Sequence, residues 1–294
     1  MVKRHTASNK TWPFRWDLLL RYRYIEIIAL WEGRLTTRHL CETFGIGRQQ
    51  ASKDINNYLR EVGPANLDYD KHLKGYKPAP SFAPVVTHGV ADEYLHLMAR
   101  NNELTNMFES LELQAANIEV LTVPLRDISP EVLRPMVQAA RQQRRLEVDY
   151  VSIQNPDRDG RVIVPHTIIH TGLRWHVRAW CEKNQDYRDF VLSRFRGEAD
   201  IMDASEHGVK DDHRWNEPVN IRVVPDSRLA PEQRDVVAQD YGMTDGALEI
   251  ETRAALVQYA LQALRIDTSV VQIKPEAQQI MVENLAALEP YLFH

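Results

Sequence analysis

The stretch TTRHLCETFGIGRQQASKDINNYLR, Thr36 to Arg60, constrains this chain more than any other. It reads as a short helix, a three-residue Gly-Ile-Gly turn and a second helix. Thr36 is placed to cap a helix over Thr37–Phe44, without the acid or amide that would complete a capping box. Gly45 and Gly47 can both take positive φ, and Ile46 between them can plug the space between the helices. The second helix, Arg48 to about Arg60, gathers Ala51, Ile55, Tyr58 and Leu59 on one side. Upstream, Leu18, Tyr22, Ile25 and Ile28 with Ala29 recur at helical spacing, so Phe14–Trp31 forms an amphipathic helix that ends at Gly33. This is the pattern of a helix-turn-helix, which lays its second helix in the DNA major groove.

The polar side of that second helix has the matching chemistry. It carries Arg48, Gln49, Gln50, Ser52, Lys53, Asn56 and Asn57. Arginine pairs bidentately with guanine, and Asn or Gln with adenine. Lysine and serine suit phosphate oxygens. Thr37 and Arg38, at the start of the preceding helix, join the candidate set. The bland alternative is a solvated face, but such faces favour Glu and Lys over a Gln/Asn/Arg mixture. Further on, Leu67–Asp70 and Gly75–Pro78 flank Lys71, His72 and Lys74. These segments form either the wing of a winged helix or a plain basic loop.

Charge supports a polyanion contact at this end alone. The whole chain carries −5, yet residues 1–80 hold 14 Lys and Arg against 8 Asp and Glu, a net of +6 that leaves about −11 on the remainder. No run of 18 apolar residues and no signal-peptide pattern occurs, so neither a membrane span nor secretion is expected and a cytoplasmic location fits. Cys41 and Cys181 stand far apart and give no disulfide framework.

Pro78–Pro84, with three prolines, reads as a linker, and Ala91–Glu112 has helical spacing. Ser129-Pro130-Glu131 opens a helix lined by Val132, Leu133, Met136, Val137 and Ala140, running to about Arg144. Strands follow at Leu146–Ser152, Arg161–Val164, Thr167–Thr171, Arg174–Cys181 and Arg188–Leu192, with Pro165 as a breaker; together they suggest a small barrel. Trp175 and Trp180 fall on opposite faces of their strand, so at least one should be core. His166 and His170 would lie about 13 Å apart on a strand, too far to share a metal. The last part alternates: strand Val219–Val224, helix Ala230–Asp240, strand Leu248–Arg253, helix Ala254–Leu264, strand Val270–Lys274 and a closing helix Pro275–Leu288. That order suggests a small α/β sandwich. The apolar tail Pro290–Phe293 packs either on a partner or on its own domain. Domains are expected at 1–80, 81–128 (a helical connection), 129–205 and 213–294.

The segment GLRWHVRAWCEKNQDYRDFVLSRF, Gly172–Phe195, resembles the core of a WYL domain, with Trp175-His176-Val177 in place of the Trp-Tyr-Leu tripeptide. LEVDYVS and VPHTII before it keep the surrounding pattern. The run IIALWEGRLTTRHLCETFGIGRQQASKDINNYL is similar to the branch of WYL transcription regulators that controls bacterial anti-phage defence islands such as BREX and CBASS operons. The resemblance covers nearly the whole chain. It implies an α+β multidomain protein: a winged helix-turn-helix, a central Sm- or SH3-like β-barrel that senses a nucleotide or nucleic-acid ligand, and a C-terminal dimerisation domain. Matched residue by residue, the ligand pocket would draw on Tyr150, Ser152, His166, Arg174, Arg188 and Arg194. Converging guanidiniums, hydroxyls and an imidazole suit an anion. Alternatively, the arginines pair at the surface with Glu147, Asp149 or Asp189, and Tyr150 is core.

The expected function is a homodimeric repressor of a phage-defence operon, bound to an inverted repeat of double-stranded DNA, with no cofactor and no metal. Two alternatives stand beside it. An enzyme acting on nucleic acid would need motifs absent here: no phosphate-binding Gly-rich loop with lysine, no HExxH, no nucleophile elbow. A winged helix that binds protein would show little salt-dependent affinity for DNA.

Overall fold

The computed structural model describes residues 12–107, 126–154, 156, 159–268 and 274–293, divided between two units, Met1–Thr122 and Val123–His294. The first unit begins with helices α1 (Trp16–Glu32), α2 (Thr37–Phe44) and α3 (Arg48–Glu61). Gly45 ends α2 in the left-handed region at φ 62°, whereas Gly47 is extended at φ −68° and serves as the N-cap of α3. Only one of the two turn glycines therefore uses the freedom expected of both. The start of α2 has a reciprocal cap, with a histidine in place of the expected acid or amide: the Thr36 N–H donates to His39 Nδ1 at 3.1 Å. Tyr22, Ile25, Leu40, Ala51, Ile55 and Tyr58 are fully buried where the three helices meet, and Ile46 packs against them. Burial of each Ile and Leu among them contributes about 1.5–3 kcal/mol.

The two segments after α3 are strands, β1 (Leu67–Asp70) and β2 (Gly75–Pro78), paired antiparallel from Leu67↔Pro78 to Asp70↔Gly75. Leu35 adds to the ribbon, exchanging hydrogen bonds with Tyr76 at 2.7 and 2.8 Å. Position 75 must be glycine here, because a Cβ would stand 2.8 Å from the Leu35 carbonyl oxygen. A wing therefore fits the ribbon.

The three-proline segment is tied down rather than free. Asn66 accepts from the Ala79 and Ala83 N–H groups and donates to the Ala83 carbonyl. The carboxylate of Glu26, on α1 and fully buried, accepts from the N–H groups of Val85, Val86 and Thr87 and from the Thr87 and Tyr58 hydroxyls. Burial pushes this carboxyl up, and those hydrogen bonds pull it back. Helix α4 (Ala91–Met107) follows, with Met98 in the same core. The stretch of the expected helical connection from 108 to 125 lies outside the described residues.

The second unit opens with α5 (Pro130–Gln142), then β3 (Arg144–Tyr150), β4 (Asp159–His170), β5 (Trp175–Cys181), β6 (Asp186–Val191) and β7 (Phe195–Ala204). These form one antiparallel sheet in the order β6-β5-β4-β3-β7. Pro165 does not break the chain into two strands as expected. The register shifts between Pro165 and Thr167, so the missing N–H falls at an irregularity and β4 continues. Strand β7 has no counterpart among the expected strands; its polar sequence, FRGEADIMDA, does not alternate.

Cross-strand pairs fix the two faces. Val177, Ala179 and Cys181 share one face with Phe190, and α5 packs there through Val132, Met136 and Ala139. His176, Arg178 and Trp180 share the other face with Val191, Asp189 and Tyr187. Neither Trp175 nor Trp180 belongs to the core, contrary to expectation: Trp175 lies exposed at the strand end, and Trp180 stacks on His207 with ring centroids 4.0 Å apart.

The short helix α6 (His213–Asn216) leads into β8 (Pro218–Pro225), α7 (Pro231–Asp240), β9 (Leu248–Arg253), α8 (Val257–Ala263), β10 (Ile280–Val282) and α9 (Leu285–Leu288). The strands pair antiparallel in the order β10-β8-β9. Ile221, Val223, Val237, Val257, Leu261 and Ile280 form the core beneath the helices. The expected closing helix over Pro275–Leu288 is instead a 3₁₀ turn, a strand and one helical turn. Gln279 at φ 64° interrupts it, and Ile280–Val282 pairs with β8. The strand expected at Val270–Lys274 falls almost wholly outside the described residues.

Candidate functional site

The outward face of α3 is held in place from behind. Arg21 of α1 donates through Nε to Asp54 Oδ2 at 2.8 Å, and Asp54 is buried. Gln50 donates to the other oxygen of Asp54 at 2.7 Å. Gln50, expected to face DNA, is therefore turned back on its own helix. Asn57 is half-buried and accepts from Arg60 Nη2 at 2.8 Å. Arg48, Gln49, Ser52, Lys53 and Asn56 remain exposed and make no side-chain hydrogen bond to another described residue. At the start of α2, Thr37 is half-buried and Arg38 is paired with Glu42.

The wing tip is exposed and pre-shaped. Asp70 Oδ1 accepts from the N–H groups of His72 and Leu73 at 2.8 and 3.1 Å, and Asp70 Oδ2 pairs with Lys77 Nζ at 3.2 Å. These bonds hold the Asp70 carboxyl below its usual range. Lys71, His72, Leu73 and Lys74 all stand in solvent, with Lys74 at φ 48°.

The six residues expected to line one pocket do not come together. Tyr150 is a core residue: its ring meets Phe190 and Phe195 edge-on at 5.0 Å each, and its hydroxyl accepts from the Val191 N–H at 3.2 Å. Arg188 is exposed on the α5 side of the sheet, opposite Ala179, with Asp186 3.9 Å away. The side chain of His166 is enclosed, flanked by the rings of Tyr187 and Trp215. Its Nε2–H donates to Asp212 Oδ2 at 3.2 Å while the Thr167 hydroxyl donates to Nδ1 at 2.8 Å. Ser152 is half-buried just beyond the end of β3.

Two clusters occupy the second face instead. In one, Arg178, only 4% exposed, clamps Asp212 through Nε and Nη2 and reaches Asp189 Oδ1 through Nη1 at 3.2 Å. Burial works against the Asp212 carboxylate, yet the hydrogen bonds from His166 and Arg178 and the Arg178 charge hold its pKa down to about 2. A cleft of about 530 Å³ opens beside this cluster, lined by Trp180, Tyr187, His207 and Arg214 among others. In the other cluster, His176 is 5% exposed and its Nδ1 finds no hydrogen-bond partner among the described residues. Burial, then the charges of Arg174 and Arg194, hold its imidazole down to about 4. Trp175 beside it is 49% exposed and leans on His170 at 4.6 Å.

Three families match in chain order. The winged helix-turn-helix domain of the BrxR transcriptional regulator matches residues 17–100, the WYL domain 131–198, and the C-terminal dimerization domain of the BrxR regulator 218–288. A protein named DNA-binding transcriptional repressor CapW, from Stenotrophomonas maltophilia, is 31% identical over 97% of this chain and 95% of its own length. The chain belongs to the BrxR–CapW family. Proteins of the same name from Escherichia coli and Pseudomonas aeruginosa are 31% and 29% identical, each over 92% of this chain and 90% of its own length. A solved structure, proteasome accessory factor B/C of Arthrobacter aurescens, matches at 16% identity and a TM-score of 0.26 over 93% of this chain and 47% of that one, too slight a likeness to argue from.

The BrxR winged-helix match ends at residue 100, consistent with the Glu26-bound strap and Met98 packing in the first core rather than beyond it. In this BrxR-family chain, sequence reasoning missed Arg178, His176 and Asp212. Arg178 had a signal, a lone arginine inside the apolar strand WHVRAWC, which needs a buried counter-charge. Asp212 had none, because its partner lies 34 residues away.

Proposed function

We propose that the chain is a DNA-binding transcriptional repressor that grips an inverted-repeat operator as a homodimer and controls a phage-defence operon. The observation that carries this reading is the α3 face: Arg48, Gln49, Ser52, Lys53 and Asn56 are exposed and uncommitted, while the Arg21–Asp54–Gln50 brace fixes the helix beneath them. The match of residues 218–288 to a dimerization domain supports pairing of two such helices, on half-sites about one or two helical turns apart. The CapW relatives, named as repressors of transcription, support the output. Among the described residues no helix is long and apolar enough to cross a membrane.

Gln49→Ala and Asn56→Ala should each weaken operator binding by about 1–3 kcal/mol and relax the preference at one base position. Gel-shift titration against the DNA upstream of its own gene, with single-base variants, measures both. Unchanged affinity in both variants would remove α3 from the major groove. The wing behaves differently. Lys71→Ala and Lys74→Ala should weaken binding to all sequences alike, and each should flatten the slope of log K against log salt by roughly 0.9 for every phosphate that the lysine neutralises. A slope unchanged in the double variant would remove the wing tip from the DNA.

The reading extends to an effector. A ligand bearing phosphate, a nucleotide or nucleic acid, is held at Arg174, Arg194 and His176, with Trp175 as a face for a base. The Nδ1 of buried His176, without a hydrogen-bond partner among the described residues, and the charges of Arg174 and Arg194 acting on that ring support this. Tyr150, His166 and Arg188 leave the expected set, for the reasons of burial and face given above. To move the dimer from mostly bound to mostly free, the ligand must discriminate between the two states by several kcal/mol.

A further inference from the structure

Tyr259, on α8 of the C-terminal domain, touches both clusters of the second face. Its ring centroid lies 5.1 Å from that of His176. Its hydroxyl donates to Asp189 Oδ2 at 3.2 Å, and Asp189 Oδ1 accepts from Arg178 at the same distance. Arg178 holds Asp212, which caps α6 by accepting from the Trp215 N–H at 3.0 Å. Phe293, from the C-terminal tail, meets the Tyr259 ring edge-on at 5.1 Å. On the same helix, Val257 and Leu261 are buried in the C-terminal core, so a shift of α8 reaches that core. Burial and the Asp189 carboxylate push the Tyr259 hydroxyl well above the usual tyrosine range, so it stays a donor at neutral pH.

We propose that Tyr259 couples the effector site of the WYL sheet to the dimerisation domain, its ring reading His176 and its hydroxyl passing the change to Asp189, Arg178 and Asp212. This rests on the effector reading above. The differential interaction that such coupling requires has a source here. An anion lodged between Arg174 and Arg194 offsets their repulsion on the His176 imidazole and favours its charged form. An imidazolium attracts an aromatic face more strongly than a neutral imidazole does. The ring of Tyr259 is drawn toward His176, and its hydroxyl moves on Asp189.

Tyr259→Phe keeps the ring and removes the hydroxyl link. The test uses the intact dimer, the upstream DNA and, as probe, a short 5′-phosphorylated oligothymidylate, with inorganic phosphate as a second arm to separate base from phosphate. Probe affinity is read by calorimetry and operator affinity by gel shift with and without probe. The wild-type chain should bind the probe and change its operator affinity at least about fivefold, the lower end of common allosteric couplings. Tyr259→Phe should bind the probe within about threefold of wild type and lose the response to less than about twofold. Hydrogen exchange of α8 should respond to probe in the wild type and not in the variant, a readout that loss of stability alone would not reproduce. Asp189→Asn should blunt the response in the same way. Retained response in Tyr259→Phe overturns the coupling and leaves the effector site standing, as does a wild type that binds probe with no change on DNA. No binding of either probe by the wild type, or undiminished binding by an Arg174→Ala control, overturns the effector site and the coupling with it.

Discussion

Arg178→Leu is expected to lower the melting temperature of the Val123–His294 unit by roughly 6–20 °C, the shift that a loss of about 3–5 kcal/mol gives in a domain of this size. The guanidinium is the shared counter-charge of two carboxylates, the buried Asp212 and the half-buried Asp189. Without it their donors among the described residues are the His166 imidazole, the Tyr259 hydroxyl and the Trp215 N–H. Leucine fills part of the volume and supplies no charge, so the loss is chiefly electrostatic. Asp212→Asn should cost less, because Arg178 keeps Asp189 and an amide oxygen can still cap α6. The double variant should fall short of the sum by at least about 1 kcal/mol, since the two residues touch. Calorimetry on the intact chain reads all three. A leucine variant that melts within about 2 °C of wild type would show that this cluster does not organise the sheet.

The same cluster sets an acid limit. Asp212 has its pKa held down to about 2, below the unfolded value of about 3.9. Its contribution to stability is therefore present above about pH 4 and is lost as pH falls through about 2. The stability gap between wild type and Asp212→Asn should accordingly be largest near neutrality and close across that window.

Elements with strong local signals were legible from the residues alone. Thr36, Gly45 and the spacing of Ala51, Ile55 and Tyr58 define α2 and α3 without help from the rest of the chain, and the observed bounds agree. The wing was legible only as two extended segments, Leu67–Asp70 and Gly75–Pro78, around a basic tip, with a plain loop left open until their pairing was seen. Elements decided by distant partners were not. Residues 275–288 have the helix formers of a closing helix, but pairing of Ile280–Val282 with β8 overrides that preference. The faces of Thr167 and the residues after it could not be counted from the strand's start, because the irregularity after Pro165 changes their parity. The pocket set failed because Tyr150 and Arg188 both lie on the α5 side of the sheet, away from His166. Tyr150 follows Leu146 and Val148 at a spacing of two onto the core face, a pattern visible in the sequence and outweighed there by the family resemblance.

Glu26→Gln should release the strap of the winged-helix unit and, through it, weaken DNA binding. The two oxygens of Glu26 accept from three consecutive backbone N–H groups and two hydroxyls. A glutamine of the same size presents an NH₂ where an acceptor is needed, so at least one buried N–H loses its partner and faces another donor. Each buried group left unsatisfied costs about 1–3 kcal/mol, more where the missing partner was charged. Local opening of residues 85–87 should therefore become easier by about 3 kcal/mol, and amide exchange of Val85, Val86 and Thr87 should accelerate on the order of 100-fold. Because the swap conserves volume, loss of packing cannot account for such a change. The Tyr58 hydroxyl, which donates to the same carboxylate, lies on α3, so the strap and α3 share one anchor. Operator affinity in Glu26→Gln should fall without any change in base preference, since no side chain on the outward face of α3 is altered. Unchanged protection at residues 85–87 would mean that the strap is held by its apolar contacts and that the carboxylate is incidental. A shift in base preference would mean instead that Glu26 sets the register of α3 on DNA rather than its stability.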